Sequence, residues 1–186
     1  PAKIPMDLDI YVDCSGSMPN PAYTISYLAL AGTILALSAL RAGARVQATL
    51  WSDKHSFDTT HGFIRDEKKV LGMVTGCIPG GTCFPLHILR DTYYERKKDD
   101  PPAHIVVISD SGVDTMLQND EKGTSGEKIA HKALETARGG GTLALNVYKN
   151  WKPIDRFEKL GFRVHPVTDW TELIAFAAAF VRENYT

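Results

Sequence analysis

Cysteine is scarce in this sequence of 186 residues, and its number is odd. Cys14, Cys77 and Cys83 do not make up the even, dense cysteine set of a small disulfide-stabilised secreted domain. One bridge between Cys77 and Cys83 stays open as an alternative, because only a short Gly-rich segment separates them. Scarce cysteine favours a reducing compartment, and we expect a cytoplasmic protein.

An excess of charge of either sign is missing as well. Lysine and arginine together number 21 against 22 aspartates and glutamates, so the formal net charge at neutral pH is -1. Nucleic acids and anionic membranes attract proteins that carry excess positive charge. The near balance of charge therefore gives no bulk electrostatic reason to expect either of them as a partner.

The sequence also lacks a signal peptide and a convincing membrane span. It begins with Pro1 rather than Met, as a domain excised from a longer protein would. Only the uncharged run 22–40 is long enough to cross a bilayer. That run contains six Tyr, Thr and Ser residues and follows a predicted strand and turn, where a helix packed on a sheet is equally apolar. We interpret it as a buried crossover helix.

What the sequence does contain is a regular alternation of strand and helix patterns. Hydrophobic residues make up 44% and charged residues 23%, the balance of one globular domain, 1–186, with a substantial core. The alternation predicts a doubly wound, Rossmann-like α/β sandwich of three layers, whose six-stranded sheet is mostly parallel. Strands are predicted near 7–13, 45–51, 56–63, 103–109, 142–148 and 162–167, and helices near 22–42, 65–75, 85–98, 127–138, 154–160 and 169–184.

Glycines, turns and acidic residues mark the boundaries of these elements. The strand near 56–63 follows a short turn and is expected to be an antiparallel edge strand. Gly43 and the glycines 139–141 are expected to end the helices before them. The polar segment 114–126 predicts a surface loop, and Asp169 with Glu172 three residues later predicts the cap of the last helix.

The segment Asp-Cys-Ser-Gly-Ser, 13–17, follows the first predicted strand. Side chains two apart in an extended chain share a side, so Asp13, Ser15 and Ser17 can direct one carboxylate and two hydroxyls at a common point. Oxygen ligands of this kind suit a hard cation such as Mg²⁺. A Ser/Gly-rich turn that only caps the next helix is the alternative.

A second acidic residue, Asp110, ends the most apolar predicted strand, 103–109. Doubly wound sheets bind ligands at the carboxyl ends of their strands, where the strand order reverses. If the first and fourth strands flank that point, Asp13 and Asp110 face each other there, with Thr82 of a Gly-rich loop nearby. The pattern predicts one site built from three separate segments.

The combination of Asp13-x-Ser15-x-Ser17, a later Gly81-Thr82 and a strand-terminal Asp110 resembles the metal-ion-dependent adhesion site of von Willebrand factor A (vWA) domains, a family that includes the integrin inserted domains. The order of predicted elements resembles that family over nearly the whole chain.

The resemblance implies that Ser15 and Ser17 coordinate Mg²⁺ or Mn²⁺ through their hydroxyls. It implies that Thr82 does so directly or through water, and that Asp13 and Asp110 hold coordinated waters. The sequence departs from the usual pattern at Ser111, which stands where many members have glycine.

The resemblance further implies a non-catalytic protein-interaction module that binds a partner's Asp or Glu carboxylate through the ion. The chain is most similar in character to intracellular bacterial members, many of which work beside AAA+ ATPases of the MoxR or chelatase kind. Neutral hydroxyl ligands leave most of the ion's charge uncompensated, so an outside carboxylate is attracted to it.

A metal-dependent phosphoester hydrolase is the alternative function. In that case the ion would polarise the substrate, and Asp110 or Asp114 would act as the base. A thiol nucleophile is not expected, because Cys14 has no neighbouring Arg or His in the sequence to lower the pKa of its thiol, and we predict a small half-buried side chain.

Two weaker motifs compete with the metal site. Segment 123–128 loosely resembles a phosphate-binding loop, but it follows no strand and lacks the Gly-Lys-Ser/Thr ending. A zinc site across the predicted hairpin would have only three visible ligands, His55, Asp58 and His61, and no evident fourth.

Overall fold

Six strands form a single sheet in the computed structural model, which describes residues 4–19 and 26–186. They are β1 (Asp7–Asp13), β2 (Val46–Trp51), β3 (Phe57–Thr59), β4 (Ala103–Asp110), β5 (Arg138–Asn146) and β6 (Phe162–Pro166). Their order across the sheet is β3-β2-β1-β4-β5-β6. Every neighbouring pair is parallel except β2 and β3, which pair antiparallel at one edge. The predicted fold class is confirmed.

Helices cover both faces of this sheet. They are α1 (Tyr27–Arg41), α2 (Glu67–Val74), α3 (Leu86–Glu95), α4 (Gly126–Ala137), α5 (Ile154–Leu160) and α6 (Glu172–Asn184). Residues 22–25 of the first predicted helix lie outside the described residues. Ser26 caps α1, because its side-chain oxygen accepts a hydrogen bond from the Ala29 N–H at 3.1 Å. Within 4–19 and 26–186, no helix is long and apolar enough to cross a membrane.

The sheet separates two apolar cores, because successive side chains of a strand point to opposite faces. Leu8 and Ile10 of β1 belong to the core that also contains residues of α1, α2 and α6. Tyr11 of β1 belongs to the core that contains residues of α3, α4 and α5. Because helices cover both faces of the sheet, no residue of β1 or β4 is exposed.

β5 starts earlier than predicted, directly after α4. Arg138 has a positive φ of 63° and ends the helix, so the glycines 139–141 lie inside the strand instead of ending the helix. A Cβ on Gly139 would lie 2.3 Å from the Ala103 carbonyl oxygen, and one on Gly141 would lie 2.6 Å from Leu134 Cδ2. These glycines allow close packing against β4 and α4.

Two segments before and after β4 also depart from the prediction. β3 has three residues and is shorter than the predicted strand near 56–63. Residues Ser111–Leu117 form a 3₁₀ helix where a surface loop is predicted from 114 onward. The reason is that Val113 and Met116 are buried in the core below α4, so this segment is anchored.

The start of α6 differs from the predicted cap. Asp169 accepts a hydrogen bond from the Thr171 N–H at 2.9 Å, which forms a local turn rather than a helix cap. Glu172 accepts a hydrogen bond from the Thr168 hydroxyl at 3.0 Å. The capping residue is Thr171, and its side chain makes no capping hydrogen bond.

The carboxyl ends of β1 and β4 lie side by side in the middle of the sheet. β1 pairs with β2 on one side and with β4 on the other. The chain first proceeds from β1 to β2 and β3, and then returns across β1 to β4. The strand order therefore reverses between β1 and β4, which is where doubly wound sheets bind ligands.

Candidate metal centre

Asp13 is fixed at the end of β1 by two hydrogen bonds. Its Oδ1 accepts from the Ser15 N–H at 2.8 Å, and its Oδ2 accepts from the Ser109 hydroxyl at 2.6 Å. Asp13, Ser15 and Ser109 are all buried. Ser109 was not among the predicted site residues. The sequence offers one indication of its role, because Ser109 is the one hydroxyl-bearing residue of β4 and stands at the end of its apolar run.

Ser17 joins the loop after β1 to the end of β4. Its hydroxyl donates to Asp110 Oδ2 at 2.7 Å, and it lies 3.4 Å from the Ser15 hydroxyl oxygen. Asp110 Oδ1 accepts from the Gly112 N–H at 2.8 Å. The insertion of Ser111 before the glycine therefore leaves Asp110 supported by the backbone that follows it.

Thr82 reaches the same place from the loop between α2 and α3. A Cβ on Gly112 would lie 2.4 Å from Thr82 Cγ2 and 3.0 Å from Asp110 Oδ1, so Thr82 and Asp110 flank one glycine. The same loop is tied to the segment after β1, because the Gly16 N–H donates to the Gly80 carbonyl at 2.9 Å. The structure thus brings together the side chains of all five predicted residues, Asp13, Ser15, Ser17, Thr82 and Asp110.

Thr115 is a second residue that the sequence did not single out. Its Oγ1 accepts a hydrogen bond from the Phe84 N–H and donates one to the Gly112 carbonyl, both at 2.9 Å. It therefore connects the loop that carries Thr82 to the loop that follows Asp110. No spacing pattern in the sequence points to this contact.

The centre has two carboxylates, and no basic side chain of the described residues pairs with them. Burial raises the pKa of the Asp13 carboxyl, and the nearby charge of Asp110 raises it further, against the opposing effect of the hydrogen bonds from Ser109 and Ser15. No lysine or arginine nitrogen in the described residues lies within 4 Å of Asp13 or Asp110. A cation bound here would offset this repulsion.

The chemistry of the donors fits Mg²⁺ or Mn²⁺ better than zinc. Three hydroxyls and two carboxylates are hard oxygen donors, and none of the five residues supplies nitrogen or sulfur. Among the residues that the structure describes, no three His, Cys, Asp or Glu side chains are grouped to hold a metal. The alternative zinc site of His55, Asp58 and His61 is therefore not formed.

Cys14 lies beside the site and is buried, more deeply than the half-buried side chain that the sequence predicts. Burial raises the pKa of its thiol to about 11, so the thiol is protonated at neutral pH and is not the low-pKa thiolate of a catalytic cysteine. All three cysteines are free, and no bridge joins Cys77 to Cys83.

Comparison with solved structures identifies the fold. A von Willebrand factor type A protein from Catenulispora acidiphila matches 97% of this chain with a TM-score of 0.59 and 16% sequence identity. The chain has the vWA fold. No protein-family model matches it, and no curated protein does either.

Proteins of different kinds have similar structures. The pilus adhesin SpaC from Lactobacillus rhamnosus GG matches 99% of this chain with a TM-score of 0.59 and 14% identity. An aerotolerance-related membrane protein from Bacteroides fragilis matches 96% of it with a TM-score of 0.53 and 13% identity. The chain spans 43% of the Catenulispora protein and 31% of SpaC, but 99% of the Bacteroides chain. At these identities the vWA likeness concerns the fold alone.

Proposed function

We propose that this domain is a non-catalytic, Mg²⁺-dependent protein-interaction module. Ser15 and Ser17 would hold the ion through their hydroxyls and Thr82 directly or through water, with Asp13 and Asp110 acting through water. The observation that carries the proposal is the 2.7 Å contact between Ser17 and Asp110, which joins residues 93 positions apart. It brings a hydroxyl from the loop after β1 to a carboxylate at the end of β4.

The partner would supply a carboxylate. When bound, the ion supplies a positive charge that neutral hydroxyl ligands do not cancel. Asp13 is buried and its carboxylate is engaged by Ser15 and Ser109, which keeps it off the outer side of the centre. An exposed Asp or Glu of a partner would therefore gain strong Coulomb attraction at the open side.

Specificity would come from the surface around the centre, which we expect within 18–21, 80–84 and 111–115. Met18, Phe84 and Val113 of these segments are buried, so the other described residues would form that surface. Asn20 and Pro21 lie outside the described residues.

A groove of about 500 Å³ includes Cys83 in its lining, together with apolar side chains, Lys54 and three carboxylates. The carboxylates are Asp53, Asp120 and Glu121. This lining suits a partner segment that carries apolar side chains and, away from the residue that meets the ion, polar or basic ones.

We also propose a cytoplasmic setting and a AAA+ ATPase of the MoxR or chelatase kind as the partner. The three free thiols support a reducing compartment. The ATPase follows from the resemblance of the site motif to intracellular bacterial members of the family.

The experiment is capture of partners from the native lysate with this domain as bait, once with Mg²⁺ and once with EDTA. Exposed acidic residues of the captured protein near the interface are then replaced one at a time by the matching amide. We expect one substitution to remove nearly all of the Mg²⁺-dependent affinity. Equal binding in EDTA, or no sensitivity to any acidic residue, would show that no carboxylate bridges to the ion.

A screen of phosphomonoesters and phosphodiesters with the Mg²⁺-loaded protein separates this function from the hydrolase alternative. We expect no turnover above that of the Asp110→Ala variant. Turnover that the variant loses would establish a hydrolase instead.

A further inference from the structure

Two cysteines lie beside the loop that contains Asp13, Ser15 and Ser17. Cys14 is 8% exposed, and its sulfur accepts a hydrogen bond from the Ile78 N–H at 3.2 Å. Cys77 directly precedes Ile78, is half-buried and is a free thiol. The more accessible thiol is therefore next to a residue that contacts the buried one.

Covalent geometry limits how far apart the two side chains are. The nitrogen of Ile78 lies about 2.4 Å from the Cys77 Cα, because only the carbonyl carbon separates them. With the 3.2 Å contact, the Cys14 sulfur is at most about 5.6 Å from the Cys77 Cα. In a disulfide the corresponding distance is about 4 Å, so Cys14 and Cys77 lie close to the separation that a disulfide requires.

The segment that carries Cys77 is not held in a helix or strand. α2 ends at Val74, and residues 76–79 belong to no helix or strand. The segment runs alongside the loop after β1, as the hydrogen bond from Gly16 to Gly80 shows. Cys14, in contrast, is anchored to β2 by its N–H, which donates to the Trp51 carbonyl at 2.9 Å.

We propose that Cys14 and Cys77 are a peroxide-sensitive thiol pair whose disulfide shifts the segment 76–79 against the loop 13–17. The more exposed Cys77 sulfur attacks hydrogen peroxide, the O–O bond breaks, and Cys77 becomes a sulfenic acid with release of water. The Cys14 sulfur then attacks the sulfenic sulfur, the S–S bond forms, and a second water leaves. Two thiols are oxidised and one peroxide is reduced, and a thiol reductant reverses the change.

The bond would act on the candidate metal centre through the backbone. Cys14 lies between Asp13 and Ser15, so a bond to its sulfur would pull on the backbone that carries both residues. The consequence for metal affinity rests on the proposed function. We expect Mg²⁺ affinity to fall at least about tenfold, the size of effect seen when groups that orient metal ligands are disturbed.

The test compares the reduced chain with the chain treated with hydrogen peroxide. Intact mass and peptide mapping should show loss of two hydrogens and a Cys14–Cys77 crosslink, and the backbone amide resonances of Ser15 and Ser17 should shift. Isothermal titration should show the weaker Mg²⁺ binding, which a thiol reductant restores. Cys77→Ser should abolish every effect, whereas Cys83→Ser, the matched half-buried cysteine, should abolish none.

Absence of a crosslinked product, or a Cys77–Cys83 crosslink, would overturn the proposal. A Cys14–Cys77 bond that leaves the Ser15 and Ser17 resonances unchanged would overturn the proposed shift of the segment 76–79 against the loop 13–17. If the reduced protein binds no Mg²⁺, the proposed function fails, and the mass and resonance measurements still decide the disulfide by themselves.

Discussion

Asp13 is held in place by a residue of the neighbouring strand, Ser109. The hydroxyl of Ser109 donates to Asp13 Oδ2 at 2.6 Å, and both residues are buried. We predict that Ser109→Ala lowers Mg²⁺ affinity by about 10–100-fold, because Asp13 loses the group that orients its carboxylate. Isothermal titration measures the change.

The matched control for Ser109 is Thr49→Val. It removes another buried hydroxyl hydrogen bond, from Thr49 to Thr59 at 3.2 Å, without touching the candidate metal centre. Affinity should remain that of the wild type in this variant. Equal weakening by both substitutions would mean that the loss comes from the sheet as a whole.

Asp9 is a buried acid that the sequence analysis did not single out. It accepts hydrogen bonds from Tyr11, Tyr93 and Gln47 at 2.9–3.0 Å, and it lies inside the sheet. Burial raises the pKa of its carboxyl from 3.8 to about 6, despite the opposing effect of these hydrogen bonds. The alternation of side chains along β1 places Asp9 on the same face as Tyr11. The contact with Tyr93 could not be predicted, because Tyr93 lies on α3 and meets Asp9 only in the folded chain.

The raised pKa makes stability depend on pH. The folded state holds the Asp9 proton more tightly than the unfolded state, so the stabilisation present below the unfolded pKa is lost as pH rises through the folded pKa of about 6. We predict that the free energy of unfolding of the wild type, relative to Asp9→Asn, falls by roughly 2–3 kcal/mol between about pH 4 and pH 7.

Chemical denaturation at several pH values measures this difference for Asp9. Tyr93→Phe serves as a companion, because it removes a hydrogen bond that lowers the pKa of Asp9 and should extend the loss of stability to higher pH. Parallel pH profiles for the wild type and Asp9→Asn would show that Asp9 does not titrate in this range.

The loop after β4 has no room for a side chain at Gly112. A Cβ on Gly112 would lie 2.4 Å from Thr82 Cγ2 and 3.0 Å from Asp110 Oδ1. We predict that Gly112→Ala pushes these two side chains apart and lowers Mg²⁺ affinity at least about tenfold while the fold remains. Titration and far-ultraviolet circular dichroism together check both parts.

Gly72→Ala is the control for Gly112. Gly72 lies within α2, and an added Cβ there meets no atom within 4 Å. The substitution should leave metal affinity unchanged and stabilise the domain by about 0.5–1 kcal/mol, because alanine favours the helix. Full affinity in Gly112→Ala would mean that Thr82 and Asp110 do not cooperate in one centre.

Element types were more predictable than element boundaries. The bounds of β1 and α5 agree with the prediction, because clear apolar patterns and flanking signals define them. The glycines 139–141 mark the end of a helix in local terms, yet they lie in β5 because close contacts with Ala103 and Leu134 require glycine. Such contacts between distant segments leave no trace in local spacing.

For the whole molecule, we predict that removing the metal leaves the fold intact. Two cores on either side of the sheet stabilise the domain independently of the candidate centre. At a free Mg²⁺ concentration of about 100 times Kd, binding contributes only about 2.7 kcal/mol, so EDTA should lower the melting temperature without unfolding the protein. Loss of far-ultraviolet circular dichroism on chelation at room temperature would show that the ion is structural.

The overall architecture followed from the sequence because alternating strands and helices allow few topologies. The convergence of Asp13 and Asp110 followed from the same rule, since both end neighbouring parallel strands. Ser109 and Thr115 could not be found in this way, because their roles depend on contacts across the sheet and between loops. The metal role of the five predicted residues stays a prediction.

Titration of Mg²⁺ into the wild type, into Asp110→Ala and into the Ser15→Ala/Ser17→Ala double variant shows whether these residues hold the ion. We predict one ion bound per wild-type chain and no measurable binding to either variant, because each removes oxygen groups that converge on the same point. Circular dichroism confirms that the variants are folded. Undiminished affinity in both variants would show that the ion binds elsewhere.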